Sequence, residues 1–261
     1  MEIKYQFWAT LLDAFTGYIN AGAIWEEYWG GSDNPSKTYD EFRDEQEQSL
    51  LDTINKVPFV SKAASQGTAF NELIDSLLGT LQQDDRKSKE ITAFSPFKSR
   101  YPEAYDVAID DFVFRFPGDV ARTVAGWYKN AQSQVYTDGI LPTCYGDVRL
   151  YGYIDELLPL SCHDIKTTGK YRFGKFKNHW QHIVYPYCLQ QHGCEVGMFS
   201  YDVIVINDYK GKQTYELKPG ECYYWDTERD LPRLRQHCEM LIEWIETHKS
   251  KITNRKLFNL I

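Results

Sequence analysis

Residues 151–171 read YGYIDELLPLSCHDIKTTGKY. Two runs rich in aromatic and β-branched residues flank a turn at 157–161, and Pro159 lies in the connection, where it breaks no ladder. Side chains two apart on a strand share a face, so Asp164 and Lys166 project together and Ile165 enters the opposite layer. A hairpin would carry Asp155, at the end of the first run, next to Asp164. These residues fit two descriptions. One is an edge-strand charge pair, Asp164 with Lys166, and a turn aspartate. The other is a pair of carboxylates gathered around a cation. Hard oxygen ligands around a hydrated site suit Mg²⁺ or Mn²⁺. An ammonium beside such a cation suits orienting a water or stabilising charge on a phosphate.

Working upstream, SQVYTDGI (133–140) and YGDVRLYGYIDEL (145–157) read as strands, spaced closely enough to be antiparallel. AIDDFVFRFP (108–117) alternates Phe112, Phe114 and Phe116 against Asp111, Val113 and Arg115, which predicts one strand. Asp119 is placed to cap a helix running to about Gln132. From Lys62 to Gln83, Phe70, Leu73, Ile74, Leu77, Leu78 and Leu81 recur at helical spacing, and QQDDRKSKE (82–90) reads as a loop. GGSDNPSKTYDEF (30–42) is a turn-rich break between an aromatic N-terminal helix and an acidic, solvated one.

Downstream, a helix is expected from about Phe176 to Gln191. After it come a buried strand, EVGMFSYDVIVIN (195–207), a second strand, KQTYELKP (212–219), and an amphipathic closing helix over 229–248. This order predicts an α/β domain with a mixed central sheet and helices on both faces.

Composition narrows the function classes. With 261 residues, 43% hydrophobic and 25% charged, the chain can build one large domain. A net charge of −8 excludes an overall basic coat but leaves room for a local basic groove. No apolar run is long enough for a transmembrane helix, and the N-terminus lacks signal-peptide features, so no membrane partner is expected and the cytoplasm is the expected compartment. Six cysteines form no C-x-x-C pair and read as reduced core residues. The chain has no P-loop and no H-E-x-x-H; Ser161 has no nucleophile elbow, and His163 should be a structural histidine on the opposite sheet face.

Between 165 and 194 lie Lys166, Lys170, Arg172, Lys175 and Lys177 and not one Asp or Glu, with Tyr171, Phe173 and Phe176 interleaved. Such a segment reads either as a guide for DNA, its cations on phosphates and its rings on unpaired bases, or as a solvated loop with core aromatics. The tail HKSKITNRKLFNLI (248–261) is a weaker candidate for phosphate contact.

Three motifs stand in series, with φ denoting an apolar residue: Gly152 to Asp155 as G-x-φ-D, Asp164 to Thr167 as D-φ-K-T, and Gln181 to Tyr185 as Q-φ-x-x-Y. Over residues 145–206 the chain resembles the PD-(D/E)xK nuclease superfamily, in its RecB-like branch. QGTAFNELID (66–75) is a weaker echo, where that branch carries G-x-x-x-H or G-x-x-x-E.

The resemblance implies a restriction-endonuclease-like α-β-β-β-α-β core. It implies a Mg²⁺ or Mn²⁺ site formed by Asp155, Asp164 and the backbone carbonyl of Ile165, with Lys166 positioning or activating water and Gln181 and Tyr185 lining the site. The third side-chain position holds Asn71, with Glu72 next to it, and Pro186 falls inside the Gln181–Tyr185 helix. No iron–sulfur cluster is expected, because Cys222 and Cys238 are far apart. The implied protein is a single nuclease domain: a helical extension over 1–61, a catalytic core over 62–206, and a C-terminal strand and helix over 207–261.

The implied activity is that of an exonuclease or end-processing enzyme. It would act on single-stranded DNA or duplex ends in phage or bacterial recombination or repair, in the cytoplasm of a bacterium or phage-infected host. A helicase or recombination protein is a possible partner. The alternative is a nuclease fold that binds DNA or a protein without cutting.

Overall fold

The computed structural model describes residues 3–79, 91–94, 102–210 and 212–259. In chain order the elements are β1 (Ile3–Trp8), α1 (Ala9–Ile19), α2 (Ala21–Trp29), α3 (Tyr39–Ile54), α4 (Lys62–Leu78), β2 (Ile91–Phe94), β3 (Ala104–Ile109), β4 (Phe112–Pro117), α5 (Gly118–Trp127), β5 (Gln132–Thr143), β6 (Gly146–Leu158), β7 (Ser161–Thr168), α6 (Gln181–Gln191), β8 (Met198–Tyr209), β9 (Lys212–Tyr224) and α7 (Thr227–Thr247). Two 3₁₀ turns, Lys249–Lys251 and Arg255–Phe258, follow.

Six strands form a mixed central sheet in the order β1-β6-β7-β8-β9, with β5 also on β6. β6 is long enough to hold β5 antiparallel along one edge and to share its other edge between two partners. β1 lies parallel to it at 147–151, and β7 lies antiparallel at 156–158. β7 then pairs with β8 in parallel, and β8 with β9 antiparallel. The fold is therefore mixed α/β, with a mixed sheet flanked by helices.

Each face of the sheet has its own core. On one side Phe7, Leu11, Leu12, Leu50, Ile54, Val184, Leu241 and Ile245 bring α1, α3, α6 and α7 onto Leu150, Ile154 and Phe199. On the other, Phe70, Leu73 and Ile74 of α4 and Val124 of α5 pack with Phe114 and Phe116 against Ile165 and Ile204. α3 is closed at its start by a capping box between Thr38 and Glu41. α4 starts on a Ser61 cap to the Ala64 N–H and stops at Gly79, whose φ of +70° suits glycine. Leu81 and the 82–90 loop lie outside the described residues.

Four expectations are corrected. The N-terminal segment is not purely helical: Tyr5 and Phe7 are buried, and β1, residues 3–8, joins the central sheet on β6. AIDDFVFRFP is not one strand but most of a hairpin, turning at Asp110 and Asp111, with Asp110 at φ +51°. With β2, that hairpin forms a second, three-stranded sheet. α5 ends at Trp127; its N-cap position is Pro117, which makes no side-chain cap, and the Asp119 carboxylate accepts from the Val120 N–H inside the first turn. α6 begins at Gln181, five residues late, because Tyr171 and Phe176 fold back as a stacked pair onto the core.

Pro186 does not divide α6. The helix is buried from Gln181 to Leu189, and that packing offsets the lost hydrogen bond. The cysteines are free, but only Cys162, Cys188 and Cys238 are buried. Among the described residues no helix is long and apolar enough to cross a membrane.

Candidate active site

The site lies where β6 and β7 part. Their ladder ends at Glu156↔His163, and Asp155 and Asp164 are the next residues on either strand. On the far edge of β6, Gln134 takes φ +53°, and the β5–β6 pairing skips Asp155 there. The Asp155 Oδ2 accepts from the Ile165 N–H at 3.1 Å and from Asn71 Nδ2, on α4, at 3.2 Å. Asn71 Oδ1 is buried without a partner.

Across the fork, Asp164 is 4% exposed. Its Oδ1 accepts from Gln181 Nε2 at 2.5 Å, and its Oδ2 lies 2.7 Å from Lys166 Nζ. Lys166 also donates to Gln181 Oε1 at 2.9 Å. Gln181 thus braces a carboxylate and an ammonium at once. Tyr185, one turn along, rests over Gly152, where a β-carbon would stand 2.5 Å from its Cε1. α4 also crosses β7 closely at Gly67, where a β-carbon would meet Thr167 Oγ1 at 3.0 Å.

Charge at the site follows from this packing. Burial, then the neighbouring Asp164, pushes Asp155 up to about 7, against the pull of Lys166 and the Ile165 N–H. Burial disfavours the Lys166 ammonium, but the Asp164 carboxylate outweighs it and holds the proton on. A lysine kept charged is no general base. It can donate to a water or to a phosphate oxygen. Burial, then Asp164, raises the Tyr185 hydroxyl, which stays protonated.

Several contributors were not singled out in the sequence. Asp13, on α1, accepts from the Trp180 N–H at 2.7 Å and lies 3.2 Å from His179 Nδ1, fixing the entry to α6 and so Gln181. Beyond Asp155, Glu156 accepts from Ser133 at 2.8 Å and faces Asp75 of α4; burial lifts these acids to about 8 and about 6. The Glu72 charge adds to the rise at Asp75. No motif announces these acids, because they are brought together across a helix and a strand distant in sequence.

His163 is on the opposite face, as expected, 2.8 Å from both Ser161 Oγ and Asp202 Oδ2. The order Ser–His–Asp has hydrolase spacing. However, Ser161 is only 7% exposed, and Asp202 also accepts from Tyr128 and Ser200, each at 2.7 Å. The three residues act as a brace behind Asp164.

The basic segment 169–180 connects β7 to α6. Lys170, Arg172, Phe173 and Lys177 are exposed, with Phe173 at 76%. Lys175 donates to Thr168 Oγ1 at 2.7 Å and to the Lys170 carbonyl at 3.0 Å, and Tyr171 stacks on buried Phe176. These two therefore shape the loop. With Glu27 and Tyr28 of α2 the segment lines a groove of about 620 Å³. The tail is anchored instead: Ile252 and Leu257 are buried, and Asn259 Nδ2 donates to the Ile3 carbonyl at 3.1 Å.

No protein-family model and no curated protein matches the chain. Among solved structures it is similar to "Crystal structure of SSO0001", with 10% identity, a TM-score of 0.44, and 94% of this chain and 78% of that chain covered.

Proposed function

We propose that the protein is a metal-dependent nuclease with a restriction-endonuclease-like core. α4, β5, β6, β7, α6 and β8 would supply the α-β-β-β-α-β order, with the small sheet and α5 inserted after α4. The observation that carries this reading is the meeting of Asp155, Asp164, Lys166 and Gln181 at the β6–β7 fork. In the sequence these four are spread over three separate motifs.

The residues present fit a hard divalent cation. The donors are all oxygen, and Asn71 Oδ1 is buried with no other occupation. Asp155, Asp164, Asn71 Oδ1 and the Ile165 carbonyl would hold Mg²⁺ or Mn²⁺. Among the described residues no group of three or more His, Cys, Asp or Glu is placed to hold a metal, so the proposed ligand set rests on two carboxylates and neutral oxygens. When bound, the ion supplies Lewis acidity toward a phosphodiester and lowers the pKa of water. Lys166 keeps its proton and orients a water or the phosphate oxygens. Gln181 fixes Lys166 against Asp164, and Tyr185 closes the wall over Gly152. Lys170, Arg172 and Lys177 are free to meet phosphates, with Phe173 beside them.

One observation favours the non-cutting alternative: the third side-chain position is neutral Asn71. The test incubates labelled single- and double-stranded DNA with Mg²⁺ or Mn²⁺. Wild type should hydrolyse it, and Asp155→Ala, Asp164→Ala and Lys166→Ala should each lose about 100-fold or more. A folded wild type that binds DNA and leaves it intact supports the alternative. Hydrolysis undiminished in the variants refutes the site.

A further inference from the structure

We propose that the outer face of β5, β6 and β1 is a stacking platform for an unpaired nucleic-acid strand, running along β6 to Asp155. The substrate class rests on the nuclease reading; the platform is argued from strand register.

The β5–β6 ladder sets Tyr136 opposite Tyr153, Asp138 opposite Tyr151 and Ile140 opposite Arg149. The β1–β6 ladder adds Trp8 beside Tyr151 and Gln6 beside Arg149. The alternate residues Val148, Leu150 and Ile154 are fully buried in the core beneath α6. By the pleat, Arg149, Tyr151, Tyr153 and Asp155 form the other, less buried row of β6. The row of rings therefore ends at the carboxylate of the candidate site, two residues beyond Tyr153.

Its chemistry suits bases better than an apolar protein surface. Tyr136 and Tyr153 are 49% and 51% exposed, their rings 5.4 Å apart. Trp8 and Tyr151 lie 6.0 Å apart, with Lys56 Nζ 4.6 Å from the Trp8 ring and donating to the Tyr151 hydroxyl at 3.2 Å. Ile140 is the one aliphatic side chain in these rows, whereas every base has a π-face that exposed rings can meet. Asp138, midway along this face, is 3.6 Å from Arg149 and 3.2 Å from His192. The linker after Lys56, in which Phe59 is 80% exposed, leads to α4, whose Asn71 reaches Asp155. Two positive charges would draw phosphates to this path: Lys56 at its entry, and any cation held at Asp155 at its end. A duplex keeps its bases stacked inside and cannot use the rings.

The test measures fluorescence anisotropy with the full chain in EDTA. The probes are a labelled oligothymidylate of about 15 nucleotides, near the upper site size of a single module, and a blunt duplex of equal length. Tyr136→Ala and Tyr153→Ala should each weaken single-strand binding about fivefold or more and leave duplex binding unchanged. Tyr136→Phe and Tyr153→Phe should bind like wild type. Both tyrosines are half exposed, and unchanged thermal unfolding checks the fold. Ala variants that bind like wild type, losses as large on the duplex, losses in the Phe variants, or no single-strand binding by wild type each overturn the platform. Hydrolysis in Mg²⁺ is followed in parallel. A wild type that binds through these tyrosines and never cuts removes the nuclease reading alone; one that cuts while the Ala variants bind and cut normally removes the platform alone.

Discussion

Replacing Gly152 by alanine tests how tightly Tyr185 closes the wall of the candidate site. An added β-carbon would meet Tyr185 at 2.5 Å from Cε1, 3.0 Å from the hydroxyl oxygen and 3.1 Å from Cζ. Carbon contacts are comfortable at about 3.5–4.0 Å, so the overlap is roughly 1 Å. The ring cannot simply retreat. Tyr185 is 6% exposed and packs against Phe199, ring centroids 6.0 Å apart, on a buried helix. Overpacking of this kind costs about 1–3 kcal/mol, more than the roughly 0.5–1 kcal/mol that alanine gains over glycine in a strand. Gly152→Ala should therefore lower stability by about 1–2 kcal/mol, a fall of roughly 2–8 °C in Tm for a chain of this size. In a Tyr185→Ala background the same substitution should be neutral or stabilising, because the methyl enters the space that the ring leaves. Urea titrations of the four proteins give the coupling. If Gly152→Ala costs under about 0.5 kcal/mol in both backgrounds, the close approach of β6 to α6 is refuted.

Without metal, Asp155 at about 7 and Glu156 at about 8 bind protons more tightly folded than unfolded, so their contribution is lost as pH rises through those values. Burial holds His182 near 4, and its opposing slope is complete above its ordinary 6.5. Thermal stability should fall between about pH 6.5 and 8, Asp155→Asn should flatten the fall, and Mg²⁺ should restore more at pH 8; a rising profile in EDTA contradicts the assignment. Asp13→Ala removes the acceptor at the start of α6 and should cost about 0.5–2 kcal/mol by denaturant melts. Its larger effect should be on hydrolysis, through loss of Gln181 placement; full activity in that variant argues against this positioning role. Arg172→Ala and Lys170→Ala should each lower the slope of log K against log salt for single strands by about 0.7, with an unchanged slope excluding phosphate contact.

The placement of the candidate residues was more legible than their surroundings. Period-two spacing alone puts Asp164 and Lys166 on one face with Ile165 opposite, and their contacts with Gln181 and with the second core agree. Asp155 beside Asp164 followed from the short turn between their strands. Pro186 suggested a break that tertiary burial overrides, since local rules do not weigh packing on every side of a helix. IKYQFWATLLDAF hid a strand because its alternation runs straight into helical spacing with no turn residue between. The Asp110–Asp111 turn was missed because aspartates also fit the polar phase of a strand, and only the positive φ at Asp110 distinguishes the two. Asp13, Asp75 and Glu156 had no local signature, because their roles exist only once α1 and α4 are docked.

The shared edge of β6 has a consequence for the order of assembly. β1 is made before β6 but pairs with it across roughly 140 residues, a separation that slows closure of the ladder. Until residues 147–151 emerge from the ribosome, Tyr5 and Phe7 have no strand to dock on, and α1 cannot bring Asp13 to the start of α6. The fork that gathers the carboxylates should thus be among the last parts to mature. Slow synthesis before residue 147 would leave an aromatic, unpaired strand exposed to chaperones or to other chains.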